Sequence, residues 1–102
     1  MNAREAIMAA YDKDTLKEIA DHGCKSGVCH EHIYYGDTNK YYNKYEKEIT
    51  SYLTDNYDTE FLVSLFKNAD ADLTIYMNDV TWAYIELIAF NYLEEDSLLQ
   101  PV

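Results

Sequence analysis

Apolar residues recur three or four positions apart along most of the chain, a spacing typical of amphipathic helices. The first such run follows Asn2, which together with Glu5 resembles a capping box, and it continues to Ile19. Asp12 offers a second helix cap inside this run. The pattern therefore predicts either one helix over residues 3–22 with a break near Asp12, or two short helices.

The next stretch favours a loop followed by a long helix. Gly23 is a natural helix stop, and glycines and short polar residues supply turn chemistry over residues 23–37, with a short extended piece at 33–35. A helix from about 38 to 55 is then predicted, because apolar residues form a stripe along one face. The stripe consists of Tyr41, Tyr42, Tyr45, Ile49, Tyr52 and Leu53.

Two further helices complete the predicted fold. Asp58 or Thr59 opens a short helix, and a longer one runs from about 72 to 93. Between Val80 and Tyr92 the long helix carries one charge, Glu86, so it is expected at the centre of a bundle or in a dimer interface. Its β-branched residues would also suit a strand. We expect an all-α single domain over residues 1–102, a compact bundle of four to five helices around the central C-terminal helix.

The charge of the chain is concentrated in its second half. The net charge is −11 over 102 residues, and residues 52–102 hold ten Asp/Glu against Lys67 alone, a net of −9. Such a chain repels nucleic acid, anionic lipid and its own copies, and it attracts basic surfaces such as the nucleic-acid-binding grooves of other proteins.

Neither a targeting segment nor a membrane span is expected. The N-terminus has no basic leader before an apolar run, and the longest apolar stretch, Val80 to Leu93, spans 14 residues. Two cysteines without a secretory leader suggest reduced thiols and a cytoplasmic location.

Three short motifs resemble a known family. They are His22-Gly23-Cys24 with Ser26-Gly27, then Ile33-Tyr34-Tyr35 with Thr38, then Trp82, Glu86 and Ala89. Together they resemble a family of small acidic, largely uncharacterised proteins of phages and other mobile elements, over most of residues 15–93. The resemblance implies an accessory role in a host cell and defines no activity. The family pattern does not require Cys29, His30 or His32, which counts against a family-wide metal site.

All the histidines and cysteines fall in one short window. They are His22, Cys24, Cys29, His30 and His32. Zinc could take four of them, with Cys24, Cys29, His30 and His32 as the candidate ligands. However, no second ligand pair follows downstream, so the expectation is no metal and no cofactor. The alternative is a loop in which Cys24 packs into the core.

Catalysis and direct nucleic-acid binding are the weaker alternatives. His22 and Cys24 have no assignable orienting residue, and a thiol after a helix C-terminus is made less reactive by the helix dipole. The protein is therefore not expected to be an enzyme. The tyrosine stripe of the helix could stack on nucleic-acid bases, with Lys40, Lys44 and Lys47 on the same helix, but the net charge of the whole chain opposes this.

The carboxylates of the second half are the candidate partner-binding residues. They are Asp55, Asp58, Glu60, Asp70, Asp72, Asp79, Glu94, Glu95 and Asp96. Lys67 is the one cation of this half, so most of them are expected to be unpaired. The favoured function is inhibition of a host nucleic-acid-binding defence protein, of restriction or CRISPR type, through a DNA-mimicking surface. The alternatives are a small structural or regulatory interaction module, with a homodimer through the last helix, and a zinc-stabilised domain.

Overall fold

The structure is a computed structural model that describes residues 2–34, 38–70 and 72–99. These residues form six α-helices and one 3₁₀ turn. The helices are α1 (Ala3–Ala10), α2 (Lys13–His22), α3 (Gly27–Tyr34), α4 (Thr38–Asn56), α5 (Thr59–Asn68) and α6 (Leu73–Leu99), with the 3₁₀ turn at Gly23–Lys25. The expected all-α bundle around the C-terminal helix is confirmed.

Side-chain caps set most of the helix boundaries. Asn2 Oδ1 accepts the Glu5 backbone N–H at 2.8 Å, and Asp12 Oδ1 accepts the Thr15 N–H at 2.8 Å. The second cap separates α1 from α2, so the two-helix reading of residues 3–22 is the correct one. The two caps satisfy backbone donors that the first turns of these helices leave without an intrahelical partner.

The predicted loop over residues 23–37 is wrong for residues 27–34, which form a helix. Gly23 ends α2 with a φ of 54°, as its sequence suggested, but the chain then re-enters a helix at Gly27. Ser26 Oγ accepts the Cys29 backbone N–H at 3.1 Å, so Ser26 caps α3 rather than forming a turn. Ile33 and Tyr34 therefore lie in a helix and not in an extended piece. Residues 35–37 lie outside the described residues.

Helix α6 lies at the centre of the bundle. Six consecutive residues, Val80 to Ile85, are buried, so a full turn and a half of this helix is covered on every side. Helices α4 and α2 make the most extensive contacts with it. The aromatic pairs Tyr42–Tyr76 and Tyr52–Tyr84 show that α4 runs parallel to α6, whereas the short turn after α5 makes α5 antiparallel.

Helix α6 also continues six residues beyond its expected end at Leu93. Polar residues from Glu94 onward look like the end of an amphipathic pattern, but helix propensity is high for Glu and Leu, which fill this segment. Its buried middle is covered by the chain's own helices. A homodimer through α6 would therefore have to use the ends of the helix.

Candidate interaction surface

The eight candidate carboxylates whose side chains the structure describes are divided between two ends of α6. Asp72 precedes the first residue of α6, and Glu94 lies 22 residues later, a separation of roughly 33 Å along a helix. Asp55, Asp58 and Glu60 lie where α4 meets α5, and Asp70 lies in the turn that leads into α6. The sequence-derived set is therefore two surfaces rather than one.

The first surface forms where α4 meets α5. Asp55 lies in the last turn of α4, Asp58 caps α5 by accepting the Phe61 N–H at 2.9 Å, and Glu60 lies in the first turn of α5. All three side chains are exposed. Anions are favoured at a helix N-terminus, so the electrostatics of α5 accommodate Asp58 and Glu60 without a cation.

Packing places this junction beside the C-terminal half of α6. The Tyr52 ring meets Tyr84 edge-on at 5.5 Å, and Asn91 Nδ2 donates to Tyr52 Oη at 2.5 Å. Burial and the nearby Glu86 charge raise the pKa of Tyr57, which shows that α5 begins at the level of Glu86. We call Asp55, Asp58, Glu60 and the exposed Glu94 the acidic junction.

Within the described part of the chain, three of these four carboxylates are available to a partner. Asp55, Glu60 and Glu94 form no hydrogen bond or ion pair with other described residues. Phe90 lies one helical turn before Glu94 and is 54% exposed. The junction therefore combines unpaired negative charge with one accessible aromatic ring.

Glu95 is paired with a cation, although most carboxylates of the second half were expected to be unpaired. Arg4 Nη2 of α1 lies 3.0 Å from Glu95 Oε2, and both side chains are largely exposed. Counting only the cations of residues 52–102 missed this pair, because the fold brings α1 to the end of α6. The side chain of Asp96 lies outside the described residues.

The second group of carboxylates surrounds the turn from α5 to α6. Asp72 Oδ1 accepts the Thr74 N–H at 2.9 Å, which confirms Asp72 as a helix cap. Asp70 is exposed and has a φ of 52°, so its backbone forms part of the turn. It does not act as a helix cap. Asp79 is half-buried, and burial raises the pKa of its carboxyl. Asp72 and Asp70 therefore have local structural roles, whereas Asp79 makes no hydrogen bond or ion pair with the described residues.

A cluster around Glu86 was not recognised as a site from the sequence. Trp82 Nε1 donates to Glu86 Oε1, and a Cβ placed on Gly23 would lie 3.3 Å from the same oxygen. The half-buried carboxylate thus joins the end of α2 to α6. Two of the three motifs that carry the family resemblance meet here. One feature of the sequence could have identified this cluster: Glu86 is the one charged residue between Val80 and Tyr92.

A match to a family model covers almost the whole chain. The family is described as a domain of unknown function, DUF7222, and its model matches residues 3–98. The chain belongs to the DUF7222 family. No curated protein and no solved structure matches it. The acidic junction and the Glu86 cluster both lie inside the region that the DUF7222 model matches.

The window of histidines and cysteines in this DUF7222 member is described only in part. Cys29 is buried and His22 is exposed, whereas the side chains of Cys24, His30 and His32 lie outside the described residues. Among the side chains that are described, no three His, Cys, Asp or Glu residues cluster as a metal site would require. The expectation of no metal therefore stays a prediction.

The lysine face of α4 carries mixed charge. Lys44 lies 5.3 Å from the centre of the Tyr45 ring, and Lys47 is exposed. Glu46 and Glu48 alternate with these lysines, and Glu48 accepts the Ala3 backbone N–H from α1. Lys40 has no described side chain. Alternating charge gives this face little of the continuous positive potential that a phosphate backbone requires.

No described helix has the combination of length and apolar character that a membrane span requires.

Proposed function

We propose that this DUF7222 member is an accessory protein of a phage or other mobile element that acts in the cytoplasm of a host cell. It binds a host nucleic-acid-binding defence protein, of restriction or CRISPR type, and occupies the groove that would hold nucleic acid. It works as a binding protein and not as an enzyme.

The acidic junction carries this proposal. Three of its exposed carboxylates lie around the adjoining ends of α4 and α5 and the fourth, Glu94, lies on α6, in a half of the chain with a net charge of −9. Asp55, Asp58 and Glu60 lie within six residues of sequence, so neighbouring Arg or Lys residues of one groove can engage several of them. Bidentate pairing of Arg with a carboxylate resembles its pairing with a phosphate.

Phe90 supports the same surface as the contact site. Energetic hot spots of interfaces are usually aromatic or Arg side chains at the centre of a contact, and flanking charges mainly set specificity and association rate. The exposed Phe90 ring beside Glu94 gives an inhibitor an apolar anchor that DNA itself lacks. The apolar contact of Phe90 would then add to the ionic contacts, so that binding to the basic groove does not depend on charge alone.

The test is capture from host lysate with a matched charge variant. The junction variant is Asp55→Asn, Asp58→Asn, Glu60→Gln and Glu94→Gln. Asn at position 58 preserves the cap of α5, since Asn caps helices as well as Asp does. The control variant neutralises four exposed carboxylates of the first half, namely Glu5, Asp14, Asp21 and Glu31.

The unmodified chain and the control variant should both capture a DNA- or RNA-handling protein from the lysate. Added duplex DNA should then release that protein. The junction variant should lose it. Equal retention by the junction variant, or capture that duplex DNA does not reverse, would contradict the proposed function.

The runner-up is a small structural or regulatory interaction module. It is favoured by exposed apolar side chains at the turn between α5 and α6, which a pure charge decoy does not need. For this module we expect affinity that changes little with salt, whereas binding through the acidic junction should weaken as salt screens its ionic contacts.

A further inference from the structure

A group of exposed apolar side chains lies on α5 and the first turn of α6, and on α5 it adjoins Glu60 of the acidic junction. Its members are Val63, Phe66, Leu73 and Ile75, each between 41% and 59% exposed. We call these four residues the apolar tip. Contiguous apolar exposure of this kind on a globular domain marks an interaction site more often than scattered single residues do.

The apolar tip rests on packed rings and on a fixed turn. The Phe66 ring meets Tyr76 edge-on with a centroid distance of 5.4 Å, and Tyr76 meets Tyr42 of α4 at 6.4 Å. Ala69 is buried beneath the turn, and Asp72 caps α6. A surface held in place by such contacts loses little conformational freedom on binding, which favours affinity.

Negative charge outweighs positive charge around the apolar tip, where Asp70, Asp72 and Asp79 lie near the exposed Lys67. Asp70 and Asp72 occupy the turn itself, and Asp79 lies one helical turn after Ile75 on the same face of α6. Asp79 is half-buried, and no hydrogen bond or ion pair within the described ranges engages it. Burial accordingly raises the pKa of Asp79, because its charge is incompletely solvated. A cation supplied by a partner would stabilise that charge.

We propose that the apolar tip docks a segment of another protein whose apolar side chains are bordered by Lys or Arg. A second copy of the chain would bring Asp70, Asp72 and Asp79 of both copies together on molecules of net charge −11. An anionic membrane surface would meet the same repulsion. The tip does not depend on the acidic junction, so it is a second surface whether or not the proposed function holds.

The probe is a fluorescein-labelled amphipathic peptide with Leu and Lys at helical spacing, titrated with the protein and followed by fluorescence anisotropy. Two control peptides replace every Leu with Gln or every Lys with Glu. At about 0.15 M salt the screening length is about 8 Å, so charges farther than that from the tip contribute little to peptide binding there. The Leu/Lys peptide should bind more tightly than either control peptide.

Protein variants then locate the contact. Leu73→Gln with Ile75→Gln should weaken binding about tenfold or more, as expected when central apolar contacts are lost. Phe90→Gln removes an equally exposed apolar group at the other surface and should leave affinity within about twofold. Both changes are at exposed positions, and unchanged far-UV circular dichroism would verify that the fold is retained.

Hydrogen exchange gives an independent location. Bound peptide should slow exchange in residues 62–76 and leave residues 86–95 unchanged. Equal losses in both protein variants, or equal affinity for the peptide without Leu, would overturn the proposal. So would a concentration-dependent dimer in sedimentation that Leu73→Gln with Ile75→Gln converts to monomer, because the tip would then bind a second copy.

Discussion

Single side chains connect parts of this fold that the sequence leaves far apart. Glu86 receives a hydrogen bond from Trp82 and lies against Gly23, so one carboxylate links α6 to the end of α2. The sequence placed Trp82 in a helix expected at the centre of the bundle and marked Glu86 as the one charge between Val80 and Tyr92. It could not identify their contact with Gly23, because spacing reports which face a residue occupies and not what packs there.

Trp82 should be essential for stability. It is 5% exposed, and truncation of a buried aromatic side chain costs about 3–5 kcal/mol. Trp82→Ala should therefore lower the free energy of unfolding by about that amount, measured by urea denaturation with far-UV circular dichroism. Phe90→Ala is the control because Phe90 is largely exposed, and it should change stability little. Similar unfolding midpoints for the two variants would contradict the burial of Trp82.

Gly23 and Gly27 should respond in opposite ways to alanine. At Gly23 a side chain meets both a φ of 54° and the Glu86 oxygen, so Gly23→Ala should cost about 1–2 kcal/mol. Gly27 opens a helix and has room for a Cβ, with its nearest neighbour 3.9 Å away, so Gly27→Ala should be neutral or stabilising. Thermal melting of the two variants checks this, and equal midpoints would refute the strain at Gly23.

Asp79 should make stability depend on pH. Burial raises the pKa of Asp79 above its ordinary value of 3.8, so stability falls as the pH rises from 3.8 through the folded pKa, and the destabilisation is complete above it. Asp79→Asn should therefore raise the melting midpoint at pH 7, and the gain should vanish as pH falls below 3.8. Glu31→Gln, at an exposed position, is the control. A gain that persists at pH 3 would have a cause other than the charge.

At the scale of helices, the sequence predicted the helices that have a strong apolar periodicity or a clear cap, and it did not predict the short helix α3. The stripe that begins at Tyr41 predicted α4 almost to its last residue, and its Ile49 and Leu53 are fully buried. Helix α3 was missed because it has eight residues, begins at a glycine and follows a residue that also suits turns. Local preferences at Ser26 fit a turn and a cap equally well, and tertiary packing decided between them.

The cap at Ser26 can be tested directly. Ser26→Ala removes the oxygen that accepts the Cys29 N–H, and loss of an N-cap typically costs about 1 kcal/mol. Ser64→Ala is the matched control, because Ser64 lies inside α5 and its hydroxyl donates to the Phe61 carbonyl without capping a helix. Urea denaturation should separate the two variants. Equal stability would show that α3 forms without its cap.

At the scale of the whole molecule, the sequence gives the net charge but does not predict how the charged side chains are arranged in space. The net of −11 is a sum over residues, so no fold is needed to obtain it. The division into an acidic junction and a tip follows from the directions of α4 and α5 along α6. The pairing of Arg4 with Glu95 likewise depends on where α1 packs, which no local pattern of the sequence specifies.

The isolated protein should bind neither DNA nor RNA. Its net charge opposes the phosphate backbone, and the lysines of α4 alternate with glutamates. A gel shift at low salt, where electrostatic binding is strongest, should show no complex at micromolar protein. A complex that disappears when Lys44 and Lys47 are changed to Gln would instead identify α4 as a nucleic-acid face.

The position of α6 has a consequence for biosynthesis. The helix that fills the centre of the bundle is the last of the described helices to be synthesised, so the apolar faces with which α2, α4 and α5 contact it stay uncovered until it emerges. At about 5–20 residues per second, its 27 residues take roughly 1 to 5 s to add. During that interval the nascent chain exposes the residues that will become its core, and chaperones have their best opportunity to bind. Any message truncated before Ile88 would yield a product that cannot complete this core and is open to proteolysis.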